Sequence, residues 1–359
     1  MIYLDYQATT PLAPEALDAM LPWLRDQHAN PHSAHGPGRA AKAAIEVARA
    51  QVAALLPAGG AVSFTGGATE ALNWAIKGVG GPTVTIATEH AAVLDAVEAV
   101  GDSLVLPVQR DGLVDLDAAR AAIRPGVKLV AAMLVNNEIG VIQPIAELAA
   151  LAHQAGALFL CDAVQGYGRV AIPEGCDLIA LSAHKIHGPK GIGALWIREG
   201  IELAPLLHGG GQEPAGRSGT LSPALCAGFG AAAALMAARR DSDAAHVERL
   251  WTTARATLGA DWIVNGSVEH RYRGNLNVRR DGLDVARLMS DLRDIAFSAG
   301  SACASGSGRP SHVLEAIGLS DAQARNSIRI GFGRYTTEEE LVDALQRIDA
   351  AARAQRIAA

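Results

Sequence analysis

Apolar and polar positions along the chain fall into two alternating textures. Short runs rich in β-branched and other apolar residues, 83–88 (TVTIAT), 103–108 (SLVLPV), 127–135 (VKLVAAMLV), 157–162 (ALFLCD), 177–182 (DLIALS) and 193–197 (GALWI), read as strands. Around and between them, 69–79, 90–100, 115–123 and 144–156 carry apolar residues at helical spacing. Pro144 opens the last of these and Gly156 closes it, which is ordinary helix punctuation. Apolar strands alternating with helices predict an α/β fold: a mostly parallel sheet covered by helices on both faces.

After about residue 240 the texture changes. An Ala-rich helical stretch, 224–240, is followed by a charged one, 241–258. Short strands at 275–279 and 328–332 then mix with helices, and a last helix spans 337–355. Thr337 and Glu340 at its start have capping-box spacing. The pattern predicts a large domain over 13–240, with 1–12 and 241–359 forming a smaller α+β domain. A chain of 359 residues suits that division.

Composition narrows the class of protein. Half of the residues are hydrophobic and 19% are charged, which supplies an ample core and excludes disorder. The formal charge of -6 gives no reason to expect a nucleic-acid partner. Cys161, Cys176, Cys226 and Cys303 are widely spaced and form no C-x-x-C, so neither a zinc or redox pair nor a disulfide framework is expected. No basic-then-apolar leader and no membrane-length apolar run is visible, and the cytoplasm is the expected compartment.

Three places carry candidate chemistry. The stretch 62–76 (VSFTGGATEALNWAI) reads as strand, Gly-Gly turn and a helix opening at Thr69. A helix start presents unpaired N–H groups to an anion, and Gly66 and Gly67 let backbone approach it closely. The alternative, an ordinary strand-to-helix turn, stays open on this stretch alone. Two strands end in polar residues: 157–165 leads to Asp162 and Gln165, and 177–185 leads to Ser182, His184 and Lys185. Ligands gather beyond the carboxyl ends of parallel strands. A phosphate site, a carboxylate and a lysine are the parts that hold pyridoxal phosphate, the lysine as Schiff base and the acid on the ring nitrogen. Lys190 competes with Lys185 for the first role. His90 directly follows a strand and is either a helix-start residue or a group that stacks on a planar cofactor and moves protons. The pairs His32/His35 and His184/His187 lack further ligands, so no metal site is expected. Finally, Cys303 lies in 296–312 (AFSAGSACASGSGRPSH), among small residues that give a thiol little to pack against.

These residues, with 3–11 (YLDYQATTP), 30–36 (NPHSAHG), 64–73 (FTGGATEALN), 136–145 (NNEIGVIQPI), 182–196 (SAHKIHGPKGIGALW), 208–213 (HGGGQE), 217–220 (RSGT) and 328–336 (IRIGFGRYT), occur in the order and spacing of one family. The chain resembles the cysteine desulfurases of the NifS/IscS type, fold-type-I pyridoxal-phosphate enzymes of the class V aminotransferase superfamily. The resemblance implies that Lys185 carries the cofactor, Asp162 pairs with the pyridine nitrogen and Gln165 bonds the phenolic oxygen. It implies that His90 stacks over the ring and shuttles protons. Ala68 (through its backbone), Thr69, Ser182 and His184 would hold the phosphate, and Thr220 would reach the phosphate of the neighbouring subunit of a homodimer. Asn137 and Arg329 would bind the carboxylate of L-cysteine, and Cys303 would be the nucleophile that takes the sulfur as a persulfide. A sulfur-acceptor protein such as an iron–sulfur scaffold, or tRNA thiolation, is the implied destination. The chain departs from the family pattern at Gly67, Val164, Ala183 and His187. Another class V enzyme, an aminotransferase or a selenocysteine lyase, is the competing reading; an aminotransferase has no use for Cys303.

Overall fold

The structure is a computed structural model that describes residues 1–213, 216–300 and 311–357. Strands and helices are numbered in chain order. After the short β1 (Ile2–Tyr3), a seven-stranded sheet is built from β2 (Gly60–Thr65), β3 (Thr83–Ile86), β4 (Ser103–Leu106), β5 (Leu129–Met133), β6 (Leu158–Asp162), β7 (Leu178–Ser182) and β8 (Gly193–Arg198). Its order is β2-β8-β7-β6-β5-β3-β4. Only β8 runs against its neighbours; every other pair is parallel. Each strand expected between 83 and 197 is present, trimmed by one or two residues at half of the ends.

Helices α1 (Pro14–Arg25), α2 (Gly36–Ala53), α3 (Ala68–Val79), α4 (Ala91–Val100), α5 (Leu116–Ala122) and α6 (Ile145–Gln154) lie between the strands or ahead of them. Side chains alternate across a strand. Val130, Ala132, Phe159, Ile179 and Leu181 therefore enter one core, shared with Ala16, Ile45 and Leu148 of α1, α2 and α6. Leu129, Ala131, Leu160, Leu178 and Ala180 enter another, against Leu72, Trp74 and Ile76 of α3 and Val93 and Val97 of α4. Burial on both faces is the reason these strands read as unbroken apolar runs.

The two helical stretches expected at 224–240 and 241–258 are one continuous helix, α7 (Pro223–Leu258). No glycine or proline interrupts 231–258, so the helix continues while the core it serves changes. Its Ala232, Ala233 and Met236 pack with the large sheet. Its Val247, Leu250, Trp251 and Leu258 pack with Leu4, Leu276, Ile328, Ile330 and Leu345 in a separate cluster. That second cluster lies on a four-stranded antiparallel sheet of β9 (Ile263–Val264), β10 (Asn275–Arg279), β12 (Ser298–Ala299) and β13 (Ser327–Gly331), in the order β12-β13-β10-β9. β1 pairs in parallel with β11 (Ile295–Ala296), which ties the start of the chain to this later part. The helices here are α8 (Val285–Asp291), α9 (His312–Ala316), α10 (Asp321–Arg325) and α11 (Glu338–Ile357). The capping box before α11 is formed: Glu340 N donates to Thr337 Oγ1 at 3.2 Å, and Thr337 N to Glu340 Oε2 at 3.3 Å. Among the described residues no helix is long and apolar enough to cross a membrane.

The carboxyl ends of β2, β6 and β7 share one edge of the large sheet. Functional side chains carried by the turns after these strands are thereby brought together.

Phe229 of α7 is fully buried between the rings of Phe64 and Tyr167, with centroids 6.2 and 6.4 Å away. Phe229→Ala is expected to cost about 3–5 kcal/mol, read as a lower denaturation midpoint. An unchanged midpoint contradicts this packing.

Candidate active site

β2 runs into Gly66 and Gly67, and α3 begins at Ala68, one residue earlier than its sequence pattern suggests. The first N–H groups of a helix have no partner in a preceding turn, and this end carries the positive pole of the helix dipole. The turn is fixed from behind. Thr65 Oγ1 donates to Gly67 O at 2.9 Å. Gly66 N donates to the Glu70 carboxylate at 2.7 Å, which Arg217 grips at 2.8 Å. β8 passes so close that a Cβ on Gly193 would stand 2.6 Å from Gly67 C and 2.8 Å from Ala68 N. Glycine at 193 is therefore a steric requirement of the turn.

Asp162 ends β6 and is buried. Its Oδ1 accepts Val164 N–H at 2.9 Å. Burial pushes its carboxyl pKa up, while that hydrogen bond and the charges of His90 and Lys185 oppose the rise. His90 is the N-cap of α4, its Nδ1 accepting Ala92 N–H at 3.0 Å. That bond places the proton of the neutral ring on Nε2. Burial lowers the His90 pKa, against the pull of Asp162. Both readings of His90 hold at once: it starts a helix and lines the cavity described below.

β7 ends at Ser182 and passes into one 3-10 turn, Ala183–Lys185. The N-terminal segment is laced to this turn. Thr10 N and Oγ1 both donate to His184 O at 2.9 Å, and His184 Nδ1 lies 3.1 Å from Thr9 Oγ1. Lys185 Nζ donates to Gln7 O at 2.6 Å and Ala8 O at 2.8 Å. Gln165 Nε2 donates to the same Gln7 carbonyl at 2.9 Å, and its buried Oε1 has no partner among the described residues. Arg329, on β13, is 1% exposed. It donates to Asp5 Oδ1 at 2.8 Å and to Asn137 O at 3.1 Å.

One cavity of about 620 Å³ joins these groups. Ala68, Thr69, His90, Asn137, Asp162, Gln165, Ser182, His184, Lys185 and Arg329 all line it. Lys190 lines it too, so both candidate lysines face the same space. Among the described residues Asp162 is the only carboxylate in the lining, against Lys185, Lys190 and Arg329. Thr220 is exposed and does not line the cavity. Cys303 lies outside the described residues.

Comparison with known proteins agrees with this geometry. The aminotransferase class-V family matches residues 2–345. The chain belongs to the class-V aminotransferase family. It is 46% identical to "Cysteine desulfurase, mitochondrial" of Saccharomyces cerevisiae, over 95% of this chain and 72% of the relative. It is 41% identical to "Cysteine desulfurase IscS" of Rickettsia bellii, over 97% of this chain and 90% of the relative. A solved structure described as "SspA in complex with cysteine" superposes with a TM-score of 0.84 at 35% identity, over 94% of this chain and 100% of that one.

Class-V aminotransferases use pyridoxal 5'-phosphate, and the residues here fit that group. The α3 start and the excess of cations suit its phosphate. The buried Asp162 carboxylate suits a protonated ring nitrogen, and the Gln165 amide in the same lining carries an NH2 whose second proton suits a ring oxygen. The sequence reading of this class-V site missed Gln7, whose carbonyl receives Lys185, and Asp5, which pairs with Arg329. It also missed Glu89, fully buried, accepting Met133 N–H at 2.6 Å, with its carboxyl pKa driven well up by burial and by Asp162. Asp5 and Gln7 sit in the quoted 3–11 segment, where no periodicity or known spacing distinguishes an anchor from a loop.

Two outcomes are expected. Gly193→Ala displaces the turn at Gly67, so the cofactor-free protein should take up pyridoxal phosphate at least about tenfold more weakly; an equal affinity contradicts the cradle. Burial, Lys185 and Lys190 push the His184 pKa down to about 4 from 6.5. The unfolded chain therefore binds the extra proton first, and stability falls as pH drops through 6.5 towards 4. In cofactor-free protein His184→Gln should make that fall shallower, measured by denaturation midpoints across the window. An identical slope refutes the burial of a neutral imidazole.

Proposed function

We propose that the protein is a pyridoxal-phosphate-dependent cysteine desulfurase, which converts L-cysteine to L-alanine and passes the sulfur to Cys303 as a persulfide. The observation that carries this reading is the meeting of Lys185, Asp162 and the α3 start in one cavity. The names of the relatives favour a desulfurase over the aminotransferase and selenocysteine lyase readings.

When bound, the cofactor supplies an electron sink for the bonds of the substrate's amino carbon. The protein's residues do the rest. Lys185 would hold the cofactor and would give way to the substrate amine. Asp162 keeps a proton on the ring nitrogen, and Gln165 donates to the phenolic oxygen through its amide NH2. Ala68, Thr69, Ser182 and His184 bind the phosphate, joined by Thr220 from the other subunit of a homodimer. His90, which lines the cavity, would stack over the ring and carry a proton on Nε2. Asn137 and Arg329 take the substrate carboxylate, for which a guanidinium fork is well shaped. The Cys303 thiolate attacks the substrate sulfur; the sulfur–sulfur bond forms as the carbon–sulfur bond breaks, and a proton returned to that carbon completes alanine. Residues 13–240 act as the cofactor domain, with 1–12 and 241–359 as the smaller domain bearing Cys303. The persulfide then passes, in the cytoplasm, to an acceptor such as an iron–sulfur scaffold or the tRNA-thiolation machinery.

Cys303→Ser is expected to retain cofactor and L-cysteine binding while alanine release with a reductant falls by about a thousandfold or more. Undiminished alanine release removes Cys303 from the reaction.

A further inference from the structure

A second cavity, of about 480 Å³, shares no lining residue with the first. It lies where α7 passes from one hydrophobic cluster to the other, and its walls carry five arginines: Arg169, Arg240, Arg271, Arg273 and Arg334. We infer that this cleft binds a small organic molecule bearing a multivalent oxyanion, a phosphate or a polycarboxylate.

Charge is the first argument. Three carboxylates face the five guanidinium groups, and two of these are already engaged. Asp243 Oδ2 is 2.6 Å from Arg334 Nη2, and Glu248 pairs with Arg273. Glu269 alone remains against Arg169, Arg240 and Arg271. Arg271 is 4% exposed and donates to the carbonyls of Ile139, Ser267 and Asn275, with no carboxylate partner among the described residues. Burial, and after it the charges of Arg255 and Arg273, push its pKa down to about 9.

Hydrogen bonding is the second argument. Arg334, 3% exposed in its side chain, has a buried Nη1 with no acceptor among the described residues, and so does Arg271 Nε. A buried donor without an acceptor is costly, more so on a charged group. An oxyanion supplies several acceptors at once, in the geometry a guanidinium fork matches. The cavity exceeds a bare phosphate, and Ile142, Val170, Met236 and Val247 line it with apolar surface, which suits an anion carried on an organic body.

The cleft is also one side chain away from the cofactor cavity. Arg169, stacked 5.2 Å over the Tyr272 ring, donates to the carbonyls of Gln165 and Lys185. Binding in the cleft does not depend on the desulfurase reading.

The test is calorimetric titration of the cofactor-loaded protein with pyrophosphate and, separately, with citrate at fixed ionic strength. Bound cofactor keeps the α3 cradle filled, so that cradle cannot take the probe. At least one anion should bind saturably with Kd below about 1 mM, weakened at least about tenfold by Arg240→Glu or Arg334→Gln. Arg240 is exposed on α7, so its replacement should leave the fold and the cofactor's visible absorbance intact. Tighter pyrophosphate identifies a phosphate ligand, and tighter citrate a carboxylate. Failure of both anions to bind saturably, or affinities unchanged in both variants, overturns the proposal.

Discussion

The site depends on keeping a charge on Asp162. A carboxyl buried at the end of a strand tends to hold its proton, and burial does push this one upward. The Val164 N–H and the charges of His90 and Lys185 act against that tendency. Glu89, buried close enough to feel Asp162, has no such cationic company among the described residues and is driven well up. Of the two acids, Asp162 is therefore the one suited to face a cationic ring nitrogen.

This balance requires that residues far apart in sequence arrive at one edge of the sheet. The parallel β5-β6-β7 arrangement delivers Asp162 and Lys185 from adjacent strand ends. β2, antiparallel to β8 as β7 is, delivers the helix start to the same edge. The N-terminal segment closes the arrangement. It leaves the later core at Leu4, holds Arg329 through Asp5, and receives Lys185 on the carbonyls of Gln7 and Ala8. An ion pair and two hydrogen bonds thus link the smaller sheet to Lys185.

Much of this was legible in the sequence because the large sheet is buried on both faces. Its strands are unbroken apolar runs, and polar residues begin where the strands end, so Asp162, Gln165, Ser182 and Lys185 announced themselves. The strand-to-helix turn was legible as Gly66-Gly67, but its dependence on Gly193 was not, because that contact is made across strands. α7 was read as two helices because its apolar face changes partner midway, although nothing in 231–258 breaks the helix. Asp5, Gln7 and Glu89 act through contacts with residues tens to hundreds of positions away, which local pattern does not encode. The arginine-lined cleft was invisible for the same reason: Arg169, Arg271 and Arg334 meet only in the folded chain.

Lys185 and Lys190 line the same cavity, and under the proposed function Lys185 alone holds the cofactor. The most direct measurement is borohydride reduction of the cofactor-loaded protein, followed by digestion and mass analysis of the peptides. A single pyridoxyl label, on Lys185, is expected. A label on Lys190, or none on either lysine, contradicts it.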